Sequence, residues 1–114
     1  MKAKLVELTL TNGLPLEHMR LGPSSEATIQ AVIGPEPGEG EELFDFSVKV
    51  GGLTRVDAGQ QGYVWSGQTL LLATFDSGKV RQAVWDVLAN VKGEDWNALV
   101  AQLREHMRWE FDAS

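Results

Sequence analysis

The chain has 114 residues, enough for one domain of ordinary size and too few for a second catalytic lobe. Hydrophobic residues make up 43% and charged residues 23%, the balance of a globular domain and not of a disordered segment. Ten Lys and Arg against 16 Asp and Glu leave a net charge of −6, which disfavours phosphate backbones, and the lack of cysteine excludes thiol catalysis, disulfides and thiolate zinc sites. Residues Met1 to Leu10 alternate charged and apolar side chains where a signal peptide needs an apolar run, and no stretch reaches the roughly 18 apolar residues of a membrane span. The expectation is a single domain over residues 1–114, in the cytoplasm, with no nucleic-acid or membrane partner.

Taken in order, Lys2 to Leu10 places Ala3, Leu5, Leu8 and Leu10 close to a two-residue repeat, with an irregularity at Val6, and predicts a first strand. Asn12-Gly13 breaks it, and Leu14 to Ser25, with two prolines, reads as a connection holding one helical turn. Ala27 to Ile33 alternates again and predicts a second strand, with Gly34-Pro35 expected to stop it. Glu36 to Glu42 combines turn formers with four glutamates and no base, a loop that must face water. Leu43 to Val50 has the clearest alternation, with Phe44, Phe46, Val48 and Val50 inward and Asp45, Ser47 and Lys49 outward.

Gly51 to Gln68 reads as an irregular excursion carrying Tyr63 and Trp65, and Thr69 to Phe75 as a central fourth strand. The period then changes. Val80, Val84, Val87, Leu88 and Val91 recur at helical steps, with Asp76 or Ser77 as N-cap and Gly93 as the stop. A second helix opens at Glu94-Asp95 and carries the stripe Trp96, Leu99, Val100, Leu103 and Met107. The implied fold is α+β: a mainly antiparallel sheet of about four strands followed by two C-terminal helices packed on one face. Phe44, Phe46, Val48, Leu71, Val84, Leu88, Trp96, Leu99 and Leu103 are expected to share its core, with Trp85 partly buried and the terminal Trp109 and Phe111 docked back on the body.

No catalytic motif accompanies these elements. The two histidines, His18 and His106, lack metal-ligand spacing, and there is no nucleophile elbow, phosphate loop or H-E-x-x-H, so no enzyme activity, metal or cofactor is expected. Charge offers more: Glu36, Glu39, Glu41, Glu42 and Asp45 put five acids in ten residues without a base, and such a run is either a solvated connection or a docking loop for a basic partner. Tyr63 and Trp65, in a glycine-rich stretch, either cap the sheet edge or await a partner.

The opening strand, Ile33-Gly34-Pro35, the run Glu39-Gly40-Glu41-Glu42-Leu43-Phe44-Asp45-Phe46, then Gly93-Glu94-Asp95-Trp96 and Trp109-Glu110-Phe111, occur in an order that resembles the immunity protein 8 family of bacterial polymorphic toxin systems. The resemblance spans nearly the whole chain, while Leu14 to Ser25 and Gly51 to Gln68 match no family pattern. It implies an antitoxin that neutralises a cognate toxin domain by binding it. The expected interface is then Glu36, Glu39, Glu41, Glu42 and Asp45 against a basic toxin face, with Tyr63 or Trp65 as apolar anchor. The alternative reading is a small ligand-binding or accessory regulatory α+β domain without catalytic activity.

Overall fold

The structure, a computed structural model, describes residues 1–19, 22, 25–51 and 62–112. Among these, the strands are β1 (Lys2–Leu10), β2 (Glu26–Glu36), β3 (Glu42–Val50), β4 (Tyr63–Ser66), β5 (Thr69–Leu72) and β6 (Arg108–Trp109), and the helices are α1 (Ser77–Asn90) and α2 (Trp96–Leu103). The α+β class holds, but the sheet is mixed and has six strands where about four were expected. Its order is β1-β2-β3-β5-β4, antiparallel except where β3 runs parallel to β5, and β6 pairs with β3 beside β5.

β1 pairs with β2 from Lys2 opposite Glu36 to Leu10 opposite Ile29, and a bulge between Leu5 and Glu7 absorbs Val6. The bulge restores the alternation, so Leu5 and Leu8 both face inward beside Ile33 and Ala31. Gly34-Pro35 does not stop β2. Pairing with β3 ends at Ile33 opposite Glu42, so at Pro35 only the β1 side carries a ladder and the missing N–H is tolerated. Gly34 has a different reason for its place: a Cβ there would lie 2.4 Å from the carbonyl oxygen of Gly40, because the β2–β3 loop folds back over the strand.

The expected excursion is partly strand. Residues 52–61 lie outside the described residues, but Tyr63–Ser66 pairs antiparallel with β5 across a turn in which Gly67 has φ +57°. The short β4 was hidden because four residues with two aromatics and flanking glycines give too little period to read. β5 ends at Leu72 and not at Phe75, and it does lie between β3 and β4. Leu71 belongs to the other face: it pairs with Lys49, an outward residue, while Leu70 and Leu72 are buried with Val48 and Val50.

Helices α1 and α2 cover the inward face. The Asp76 side chain accepts from Gly78 N–H at 2.8 Å and caps α1, and Asp95 does the same for α2 through Ala98 N–H at 2.8 Å. Val80, Ala83, Val84, Val87 and Leu88 of α1 and Leu99, Val100 and Leu103 of α2 join Phe44, Phe46 and Ile29 in one core. α2 ends at Leu103, earlier than the stripe suggested, and Met107 completes the core from the turn that follows. Gln68 closes this end, its Nε2 donating to the carbonyls of Arg104 and Met107 at 3.1 Å each.

Two aromatic expectations are corrected. Trp85 is 55% exposed, because it sits on the shoulder of α1 beyond Val84 and Leu88, and Phe111 is 63% exposed. Trp109 does dock, half-buried beside Phe44, and Phe111 rests edge-on against its outer side at 4.9 Å.

Candidate functional site

The β2–β3 turn and its flanking strand ends carry the acids, and strand alternation divides them. Glu36, Glu39 and Glu41 are exposed at the end of the sheet. Glu42 has the parity of Phe44 and Phe46, so it faces the helices, and there its carboxylate accepts from Trp96 Nε1 at 2.5 Å and from Trp109 Nε1 at 2.6 Å. Asp45 has the opposite parity. It lies on the outer face opposite Arg108 of β6, whose guanidinium pairs with it at 3.2 Å. The five acids therefore become an exposed trio, one clamp on two indoles and one ion pair.

Tyr63 and Trp65 stand elsewhere. Trp65 is level with Leu70 and through it with Val48, six residues along β3 from Glu42, or about 20 Å at the rise of an extended strand. The structure does not bring them to the acidic turn. Tyr63 is 3% exposed, and its hydroxyl donates to Asp86 of α1. Burial, followed by the hydrogen bond and the negative charge of Asp86, pushes that hydroxyl up to about 12. Trp65 packs edge-on against Phe46 at 5.3 Å and tilted against His106 at 5.3 Å. Both aromatics thus pack at the sheet edge, Tyr63 buried and Trp65 half-buried.

Both line an open cavity of about 430 Å³ between β4, α1 and the end of α2, with Asp86, Asn90, Gln102 and His106. Three of its polar residues, Tyr63, Asp86 and Gln102, tie elements together. Asp86 also accepts from Gln82 at 3.0 Å, and Gln102 exchanges hydrogen bonds with the backbone of Lys92, at 3.1 Å from its N–H and 2.5 Å to its carbonyl. Trp65 Nε1 and His106 Nδ1 are buried without a hydrogen-bond partner among the described residues. Sequence reading missed Asp86 and Gln102. Asp86 stands four before Asn90, whose amide bonds its carbonyl at 2.6 Å, but nothing local reveals that its other partner is Tyr63.

Among the described residues, no group of three or more His, Cys, Asp or Glu is placed to hold a metal ion, and no helix is long and apolar enough to cross a membrane. What this α+β domain presents at one end of its sheet is the exposed trio of carboxylates, Glu36, Glu39 and Glu41. The chain belongs to the immunity protein 8 family, whose sequence profile matches residues 18–113, most of its length. The family is one of immunity proteins, so a cognate toxin is the partner that membership implies. Comparison with curated proteins and with solved structures finds no match. Every motif from Ile33 to Phe111 that carried the resemblance falls inside the matched span, and the opening strand β1 falls before it.

Proposed function

We propose that this chain neutralises its toxin by direct contact, without catalysis, and that the exposed trio Glu36, Glu39 and Glu41 steers a basic face of the toxin onto it. The observation that carries this reading is the placement of three water-facing carboxylates, Glu36 at the end of β2 and Glu39 and Glu41 on the turn after it, in an immunity-family protein with net charge −6. Exposed charges of this kind act over about 8–10 Å at physiological salt, so they raise the encounter rate more than they lengthen the complex's life. Glu42 and Asp45 contribute by holding the turn and β6 in place. Their carboxylates are engaged within the fold.

The test is binding kinetics against the toxin domain encoded beside this gene, at low and high salt, together with rescue of cells that express the toxin. Reversing Glu36, Glu39 and Glu41 to Lys is expected to slow association roughly tenfold or more at low salt and to flatten its salt dependence, with thermal stability kept because all three are exposed. Glu42 is left intact, since its loss disturbs two tryptophans. Association and rescue equal to the parent chain would falsify the steering role, and failure of the unaltered chain to bind the toxin would remove contact inhibition itself.

A further inference from the structure

Among the described residues, the bases of this acidic chain fall into two sets. Arg81, Arg104 and Arg108 each pair with a carboxylate, Glu17, Asp112 and Asp45 respectively. Lys2, Lys4, Lys49, Lys79 and Lys92 make no ion pair among the described residues. Three of these, Lys2, Lys4 and Lys92, share one border of the fold. All of them line one open groove of about 480 Å³ between β1 and the C-terminal half of α1, and Trp85 forms its wall with Leu88 beneath. Trp85 is 55% exposed, whereas its chain neighbour Val84 is fully buried, so a large indole is held in water on a helix, in a groove that the three lysines also line.

That combination is costly for an isolated domain and useful for a bound one. Tryptophan offers the largest apolar area of any side chain and is enriched among the residues that dominate protein interfaces, above all when a helix fixes it in advance. Unpaired lysines around it select a partner carrying carboxylates, against the sign of the rest of the surface. Nucleic acid and anionic membrane fit poorly, because the net charge of −6 repels an extended anionic surface while a single acidic segment meets the lysines alone. The groove is also continuous with the acidic turn. Glu36 lines it, opposite Lys2 in the β1–β2 register.

We infer that this groove anchors the toxin: an apolar side chain of the toxin packs on Trp85 and Leu88, and a carboxylate beside it pairs with Lys2, Lys4 and Lys92. The inference rests on contact inhibition as proposed above and places an apolar anchor next to the acidic turn, whereas Tyr63 and Trp65 pack at the far sheet edge. The acidic turn then governs encounter and the groove governs residence. A toxin surface with a basic patch next to an apolar residue flanked by acid satisfies both.

The experiment measures association and dissociation against the adjacent toxin domain for the parent chain, Trp85→Ala, the triple variant Lys2→Glu, Lys4→Glu and Lys92→Glu, and Phe111→Ala as a second exposed aromatic. Trp85→Ala is expected to speed dissociation about tenfold or more while association changes less than about twofold and the melting point holds. The lysine reversal should weaken affinity by a similar factor, and Phe111→Ala should leave binding as it was. Trp85→Ala that binds like the parent, while the glutamate reversal still slows association, overturns the anchor and leaves contact inhibition standing. A parent chain that does not bind the toxin overturns both. Sedimentation adds one more outcome: a dimer that Trp85→Ala dissolves gives the groove to a second copy of the chain and overturns the toxin assignment.

Discussion

Glu42, Tyr63 and Trp85 illustrate how much a single residue reveals before its neighbours are known. Alternation from Phe44 and Phe46 already assigns Glu42 to the inner face and Asp45 to the outer one, so their separation was legible. The indoles that hold Glu42 were not, since they come from positions 96 and 109. Trp85 lies 100° around the helix from Val84, at the border of the apolar stripe, and only the actual packing decides whether such a residue is covered. For Tyr63 the environment has a measurable consequence. Its hydroxyl pKa is raised from 10.0 to about 12 by burial and Asp86, so folding favours the protonated form. The resulting stability is complete below pH 10, where the unfolded chain is protonated too, and is lost as pH rises from about 10 through about 12. Denaturant unfolding between pH 9 and 12 should therefore show a steeper alkaline decline for the parent chain than for Tyr63→Phe. Equal slopes would remove the tyrosine from the alkaline transition.

At the scale of elements, what could be read depended on length. The nine-residue β3 and the fourteen-residue α1 were recognisable from their periods, because several turns or pleats repeat the same signal. The four-residue β4 and two-residue β6 exist through pairing with β5 and β3 and have no period of their own. The end of β2 was misplaced for a related reason: Gly34 and Pro35 carry breaker signals, yet β1 pairs with both, and the glycine serves the loop that crosses above it. Gly34→Ala tests that reading. The added methyl would press on the Gly40 carbonyl at 2.4 Å, and the turn that bears Glu39 and Glu41 must shift to admit it. The expected loss is about 1–3 kcal/mol by chemical denaturation, together with slower toxin association as the carboxylates move. A substitution without effect on either would mean that the turn moves freely over β2.

Across the whole molecule, the last residues close what the first strands open. β1 forms one edge of the sheet and β2 and β3 follow it, but the upper half of β3 would lack a neighbour on its second side without β6. The chain end supplies several ties at once: Trp109 Nε1 to Glu42, the Glu110 carboxylate accepting from Leu43 N–H, Arg108 to Asp45, and Arg104 to Asp112. The resemblance to the immunity family had pointed to Trp109-Glu110-Phe111 as a motif, and the structure gives two of its three residues a mechanical role, while Phe111 remains 63% exposed. Removing residues 108–114 should cost roughly 2–4 kcal/mol, since an indole bonded to a carboxylate, a strand pairing and two exposed ion pairs go together. Against the 5–15 kcal/mol typical of a native domain that is a large fraction. Phe111→Ala, by contrast, should stay within about 0.5 kcal/mol, as expected for a side chain mostly in water. Toxin binding by the shortened chain, measured well below its new melting point, should fall only as far as its folded fraction falls. A loss of affinity beyond that fraction would make the chain end part of the interface and not its support.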